Sequence, residues 1–288
     1  MKDKTVLSIA ARMADVNGCA VEQLPWEQGG GFYRVWRLTG WRGSFILKES
    51  CPTELAIYGA VSGRSFALPA FFGSTVWRGK PWILIEDIRG ESLSVCTRAA
   101  LTAALDSMIE LQGLYWTLPV HLGESVQSSL PLRTARRRYI PGIMLRRAFD
   151  LSIEAYRSAA VTLCHDDMLP QNVFYDGWRA VLLDWEYAGM LPWPVMLARL
   201  LAHTSSNGAT PFYMSAEDKS FALDYYFEHF IAARGVSRAD YDRTMKLFIF
   251  YELTEWIYVY RKGHRARDGL YRYYFAAARD EAKEILFG

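Results

Sequence analysis

At 288 residues, 51% apolar and 22% charged, with no long polar or repetitive stretch, the chain has the composition of an ordered globular protein large enough for two lobes. A net charge of +2 is too small to point to nucleic acid as the main partner. The longest apolar runs, such as Val195 to Ala202, are interrupted by Arg199 and fall short of the roughly 20 residues a membrane span needs.

No leader-like apolar segment opens the sequence, so a cytoplasmic protein is expected. Cys19, Cys51, Cys96 and Cys164 lie far apart with no CxxC pair, which disfavours a zinc site or a disulfide framework and leaves free thiols.

Residues 1–90 carry strand and turn signals. GFYRVWRLTGWRGSFILKES predicts two strands joined by a turn at Gly40 to Gly43, and VWRGKPWILIEDI predicts a hairpin turning at Gly79, Lys80 and Pro81. Between them PTELAIYGAVSG predicts one short helix, with Pro52 near its start, Ala56, Ile57 and Ala60 on one face, and Gly63 as its stop. The character changes at ESLS, residues 91–94. In CTRAALTAALDSMIELQGLYW, Leu101, Leu105, Met108 and Ile109 recur at helical spacing, and most of residues 91–288 follows suit.

Two domains are therefore expected, an α+β lobe of antiparallel sheet plus one helix over 1–90 and a larger, mostly helical lobe over 91–288. Within the second, Arg133, Arg136, Arg137, Arg138, Arg146 and Arg147 gather in one stretch, which reads as a solvated helix face or as a site for an acidic partner.

The helical pattern breaks once, at CHDDMLPQNVFYDGWRAVLLDWEYAG, Cys164 to Gly189. VFY and AVLL are short apolar strands joined through Asp176-Gly177, a hairpin dipeptide. With that hairpin in the floor of an interlobe cleft, Asp167 and Asn172 lie on the loop entering it and Asp184 where it ends. Such oxygen donors suit Mg²⁺, a hard cation that takes one or two carboxylates plus phosphate oxygens and keeps water for the rest. Asp167 to Asn172 is five positions (172 − 167), the spacing of a kinase catalytic loop in which Asp accepts a hydroxyl proton and Asn holds metal.

On these residues the chain resembles the aminoglycoside phosphotransferase and choline kinase superfamily, with its HxDxxxxN loop, hairpin and DWE or DFE motif. CHDDMLPQN and DWEYAG are most similar to the choline, ethanolamine and thiamine kinase branch, although Asp166 matches neither the Asn of that branch nor the Gly of aminoglycoside kinases. AGMLPWPVMLARLL departs further: it lacks the Asp that relatives often carry after DWE, which implies different helix packing there.

The resemblance implies a bilobal protein-kinase-like fold that uses ATP, with GTP as an alternative, and Mg²⁺. Asp167 would be the catalytic base, with Asn172 and Asp184 the metal ligands, and His165 would hold the loop rather than move protons. Gly29, Gly30 and Gly31, between two strands in EQGGGFYRV, would let backbone N–H groups approach phosphate oxygens. Lys48 on the next strand would pair with the α and β phosphates, supported by Glu54 or, in another register, Glu49. Ile85 to Ile88, through Glu86 and Ile88, would offer backbone hydrogen bonds to the purine.

For the acceptor, Glu252, Trp256 and Tyr260 fall at i, i+4 and i+8 of a C-terminal helix, with Glu255 beside them. This face reads either as helix-packing core or as a box for an ammonium, where a ring over a cation contributes roughly 0.5–2 kcal/mol. Glu186, inside the motif, is a second candidate to meet a cation. The expected reaction is phosphorylation of a hydroxyl on a small cationic metabolite of the choline, ethanolamine or thiamine type. An antibiotic kinase and a nucleotide-binding protein without turnover are the alternatives. Apolar C-terminal helices suit either a monomer or a homodimer.

Overall fold

The computed structural model describes residues 1–25, 30–41, 43–266 and 268–288. A short helix, α1 (Asp3–Ala10), packs Val6, Ile9 and Ala10 on a sheet of five antiparallel strands, β1 (Ala20–Pro25), β2 (Phe32–Gly40), β3 (Gly43–Glu49), β4 (Phe71–Trp77) and β5 (Lys80–Glu86), in the order β1-β2-β3-β5-β4. The alternation of the strands sends Trp36, Leu38, Leu47, Trp82 and Leu84 to the α1 side. The opposite side meets α2 (Pro52–Val61), whose N-cap Cys51 accepts from Glu54 N at 3.4 Å and whose first residue is proline.

Lys80 and Pro81 already belong to β5, so the hairpin turns at Arg78 and Gly79 rather than where the sequence suggests. Both have positive φ, 52° and 75°, the conformation of a two-residue turn matched to the twist of its strands.

A two-residue strand, β6 (Glu91–Ser92), pairs with the later hairpin β9 (Val173–Tyr175) and β10 (Ala180–Leu182). The rest is α3 (Arg98–Tyr115), β7 (Glu124–Ser125), α4 (Val126–Ala135), α5 (Ile143–Ser158), β8 (Val161–Cys164), β11 (Gly189–Pro192), α6 (Val195–Ala202), α7 (Ala216–Tyr226), α8 (Arg238–Lys262) and α9 (Gly269–Phe287), apart from short turns and one small parallel bridge of strands.

Helix α3 buries Leu101, Leu105 and Met108 in a core that also takes Ile57 and Tyr58 of α2, so both lobes share packing. Helices α5, α8 and α9 enclose a second core around Phe149, Phe250, Ile257 and Tyr274. Strand β8 pairs with β11, which closes the segment from Cys164 to Gly189 into a loop with a fixed base. At Gly189 a Cβ would collide with the Glu124 backbone, so the glycine of DWEYAG is required by the close passage of β7. All four cysteines are free thiols, and no described helix is long and apolar enough to cross a membrane.

Candidate active site

Strand β3 carries Lys48 and helix α2 carries Glu54, and their side chains meet at 2.9 Å. Lys48 Nζ also lies 2.5 Å from Asp184 Oδ1 across the interlobe cleft. Burial works against the ammonium charge, but Glu54 and Asp184 outweigh it and hold Lys48 above its ordinary range. Glu49 turns away to Lys80 and Arg34. Ser50 Oγ donates to the second Glu54 oxygen at 2.8 Å, so a carboxylate only 1% exposed is fixed from both ends.

Asp184 has φ 69° and ψ 64°, left-handed backbone that Asp tolerates better than most residues and that turns its side chain toward Lys48. The following Trp185 is fully buried and donates through Nε1 to Leu182 O at 2.8 Å, which anchors that strained turn. His165 is also buried. Its Nε2 lies 2.7 Å from Leu183 O and its Nδ1 accepts from Asp167 N at 3.3 Å, so the neutral ring ties the strand before Asp184 to the loop bearing Asp167. Burial lowers its pKa, in keeping with that neutral form.

Asn172 Nδ2 donates to Asp167 O at 2.9 Å and to Asp167 Oδ2 at 3.1 Å. Among the described residues its Oδ1 has no protein partner, and neither has Asp184 Oδ2. This pair of unengaged oxygens fits a cation that takes few protein ligands and completes its shell with phosphate and water, as Mg²⁺ does. No cluster of three or more His, Cys, Asp or Glu suited to an all-protein cage exists among the described residues.

A cavity of about 320 Å³ opens beside these groups, lined by Lys48, Glu54, Asn172 and Asp184 and, farther in, by Ile46, Ile85 and Ile88. Glu86 also borders it, with its carboxylate engaged by Arg179 at 2.8 Å. Two lining groups escaped the sequence reading: Arg37 on β2 pairs with the buried Asp87 at 2.9 Å, and Tyr58 presents a buried hydroxyl without a partner. Gly30 has φ +83° and Gly31 is half-buried beside β2, whereas Gly29 lies outside the described residues.

On the other side of the catalytic-loop candidate, the structure corrects two expectations. The arginine cluster is not a solvated face throughout: Arg137, Arg138 and Arg147 are exposed, but Arg133 is 4% exposed, pairs with Asp166 and lies 4.7 Å over the Tyr156 ring. Arg136 reaches Glu255 at 2.9 Å and Tyr251 Oη at 3.0 Å, while Arg137 grips the exposed Asp150. Nor is the face of Glu252, Trp256 and Tyr260 an open box. Glu252 is 1% exposed and bound to Arg199 at 2.9 Å, Trp256 stacks on Tyr274 at 5.6 Å, and Tyr260 is buried. Helices α6 and α9 cover this face, and the core reading describes it.

Arg199 is the group missed altogether. It sits mid-helix in α6, its Nη2 and Nε at 2.7 and 3.2 Å from Asp167 Oδ1, its Nη1 at 2.9 Å from Glu252 and 2.7 Å from Glu255. A charge interrupting the apolar run VMLARLLA was the available signal, since a buried arginine requires partners. Glu186 stays exposed beside Asp184 and hydrogen-bonds Tyr187; burial and Asp184 raise its pKa.

A family model described as the phosphotransferase enzyme family, APH, matches residues 28–226, well over half of the chain. The chain belongs to this family. The phosphotransferase has the bilobal, protein-kinase-like fold of several solved structures. One is a choline kinase from Cryptosporidium parvum Iowa II, 11% identical, with 99% of this chain and 96% of that chain covered at a TM-score of 0.66. Another is an aminoglycoside phosphotransferase from Alicyclobacillus acidocaldarius, 14% identical, with coverages of 97% and 93% and a TM-score of 0.64. A third is an amicoumacin kinase in complex with AMP-PNP, Ca²⁺ and Ami, 17% identical, with coverages of 99% and 93% and a TM-score of 0.58. No curated protein matches the sequence.

Proposed function

We propose that this phosphotransferase is a Mg²⁺-dependent kinase that transfers the γ-phosphoryl group of ATP, with GTP as the alternative donor, to a hydroxyl of a small, singly cationic metabolite of the choline, ethanolamine or thiamine type. The observation that carries the reading is the convergence of Lys48, braced by Glu54, with Asp184 and Asn172 on one cavity, while Asp167 is tied to Asn172 at 3.1 Å. Residues 1–90 and 91–288 are the two lobes that bring these groups together.

Phosphoryl transfer spreads negative charge over the γ-phosphate oxygens and asks the protein for positioning and cationic compensation more than for covalent chemistry. Lys48 supplies a fixed positive charge to the α and β phosphates, and Gly29, Gly30 and Gly31 supply backbone N–H groups. The backbone from Ile85 to Ile88, through Glu86 and Ile88, meets the purine edge. Asn172 Oδ1 and Asp184 would hold Mg²⁺, which would neutralise phosphate charge. Asp167 orients the acceptor hydroxyl and takes its proton. In support of nucleotide and divalent-metal use, the amicoumacin kinase of like fold holds AMP-PNP and Ca²⁺.

The choice of acceptor class rests on charge. Behind the loop, Asp166, Glu252 and Glu255 are each engaged by an arginine, and among the described residues Glu186 is an acid left exposed there, with the half-exposed Tyr187 ring beside it. One exposed carboxylate and one ring suit one ammonium, whereas a polycationic aminoglycoside calls for several unpaired acids. Resemblance to an aminoglycoside phosphotransferase keeps the antibiotic reading alive as an alternative. A binding protein without turnover is disfavoured by the complete set of Lys48, Asp167, Asn172 and Asp184. The deciding experiment measures ADP release with Mg·ATP and Mg·GTP against choline, ethanolamine, thiamine and aminoglycosides, with Asp167→Asn as control. Turnover only with aminoglycosides would replace the metabolite reading, and silence with nucleotide bound would favour the binding protein.

A further inference from the structure

We propose that Arg199 is a positioning residue for Asp167: its guanidinium, held from behind by Glu252 and Glu255, fixes the direction in which the Asp167 carboxylate faces the acceptor hydroxyl. The inference rests on the reading of Asp167 as the base of a kinase.

The guanidinium is planar and rigid, and here its two edges do different work. The Nε/Nη2 edge binds one oxygen of Asp167, at 3.2 and 2.7 Å, and leaves the other oxygen to Asn172 at 3.1 Å. The Nη1 corner binds Glu252 at 2.9 Å and Glu255 at 2.7 Å. Glu255 is held in turn by Arg136 at 2.9 Å. Asp167 belongs to a loop and has two side-chain torsions of its own, so with Asn172 alone it would be tied at one oxygen by a residue also wanted as a metal ligand. Arg199 supplies the second tie from a helix whose residues on either side, Ala198 and Leu200, are fully buried.

Stability does not account for this arrangement. A buried ion cluster of this kind is commonly matched or exceeded in stability by apolar side chains of similar volume, because removing the charges from water costs so much. An aliphatic residue at 199 would suit the surrounding apolar helix, yet the chain places there a cation whose free edge reaches only Asp167. A lysine could bind Asp167 or the glutamates as a point charge but could not hold a plane between them.

The test uses the full chain with Mg·ATP and water as acceptor, and compares the parent with Asp167→Asn, Arg199→Lys and the double variant Arg199→Met/Glu252→Gln, which removes the unpaired acid that the single change would leave. ADP release, calorimetric ATP affinity, melting temperature and a crystal structure are measured for each. In the double variant we expect kcat to fall about 100-fold, as for an angstrom-scale misplacement, with KM and Kd for ATP within about threefold of the parent, and Asp167 turned from its present torsion. Arg199→Lys should restore melting temperature more fully than kcat.

A folded double variant with ADP release within about threefold of the parent overturns the proposal, provided that Asp167→Asn abolishes release. Release that survives Asp167→Asn instead removes the kinase-base reading beneath it. If the double variant does not fold, Arg199→Lys decides alone: full kcat overturns the role. If the parent is inactive toward water, the crystal structure decides, and an unmoved Asp167 carboxylate overturns the role.

Discussion

Asp166 and Asp167 are consecutive, yet they belong to opposite sides of one loop. Asp166 turns into a closed lattice of charges with Arg133, while Asp167 joins that lattice through Arg199 and the cleft through Asn172. In the cleft, Asp184 and Asn172 keep oxygens without a protein partner among the described residues, and Lys48 serves two acids at once. Behind the loop each acid has a guanidinium and each guanidinium an acid. Acids whose counterions are complete build architecture, and acids with lone pairs to spare are available for chemistry.

The strongest way to break this comparison is Asp167→Asn. On the proposed role of Asp167 as base, the change should lower kcat by about 10⁴-fold with ATP affinity nearly unchanged, measured by ADP release and calorimetry. A fall of less than about tenfold would place Asp167 with the architectural acids. Next comes Arg133→Met, which strands a buried Asp166 and should cost about 3–5 kcal/mol in urea unfolding, most of it recovered when Asp166→Leu is added. Failure of the second change to recover stability would show that Asp166 does more than answer Arg133.

Acid sharpens the comparison further. Burial alone would raise Glu255, but Arg199, Arg136 and Arg133 outweigh it and hold it at about 2. Its contribution is therefore complete above the ordinary glutamate range of about 4.3 and is lost as pH falls toward about 2, on the order of 2–3 kcal/mol. Asp166 runs the other way: burial outweighs Arg133 and raises it to about 6, so its contribution is complete below about 3.9 and fades as pH rises through about 6. Urea midpoints should therefore peak between these limits, and Glu255→Gln should flatten the acid limb alone. The smallest effect expected is Glu186→Gln, which should raise KM for a cationic acceptor by about 1.5- to fivefold and leave kcat in place.

The cleft was legible in the sequence because its parts are local. Five positions separate Asp167 from Asn172 and a hairpin dipeptide leads on to Asp184, so spacing brings these near, while Lys48, 136 positions from Asp184, was found through the family resemblance. The lattice behind the loop was not legible, because Arg133, Asp166, Arg199 and Glu255 come from separate elements that meet only on packing. Periodicity found the right face of α8 in Glu252, Trp256 and Tyr260 but could not tell what covers it. Helix α1 was not singled out at all, and strand β1 only as an unbounded strand before the glycine triplet, since short elements carry little periodic signal.

The contact between Lys48 and Asp184 reaches from a strand of the sheet to the turn after the hairpin, and Trp185 N adds a 3.4 Å contact to Glu54 along the same line. These contacts tie the sheet and helix α2 of the first lobe to the turn of the second. A strand and a turn 136 positions apart are thereby held at a fixed separation, which preorganises the cleft between them.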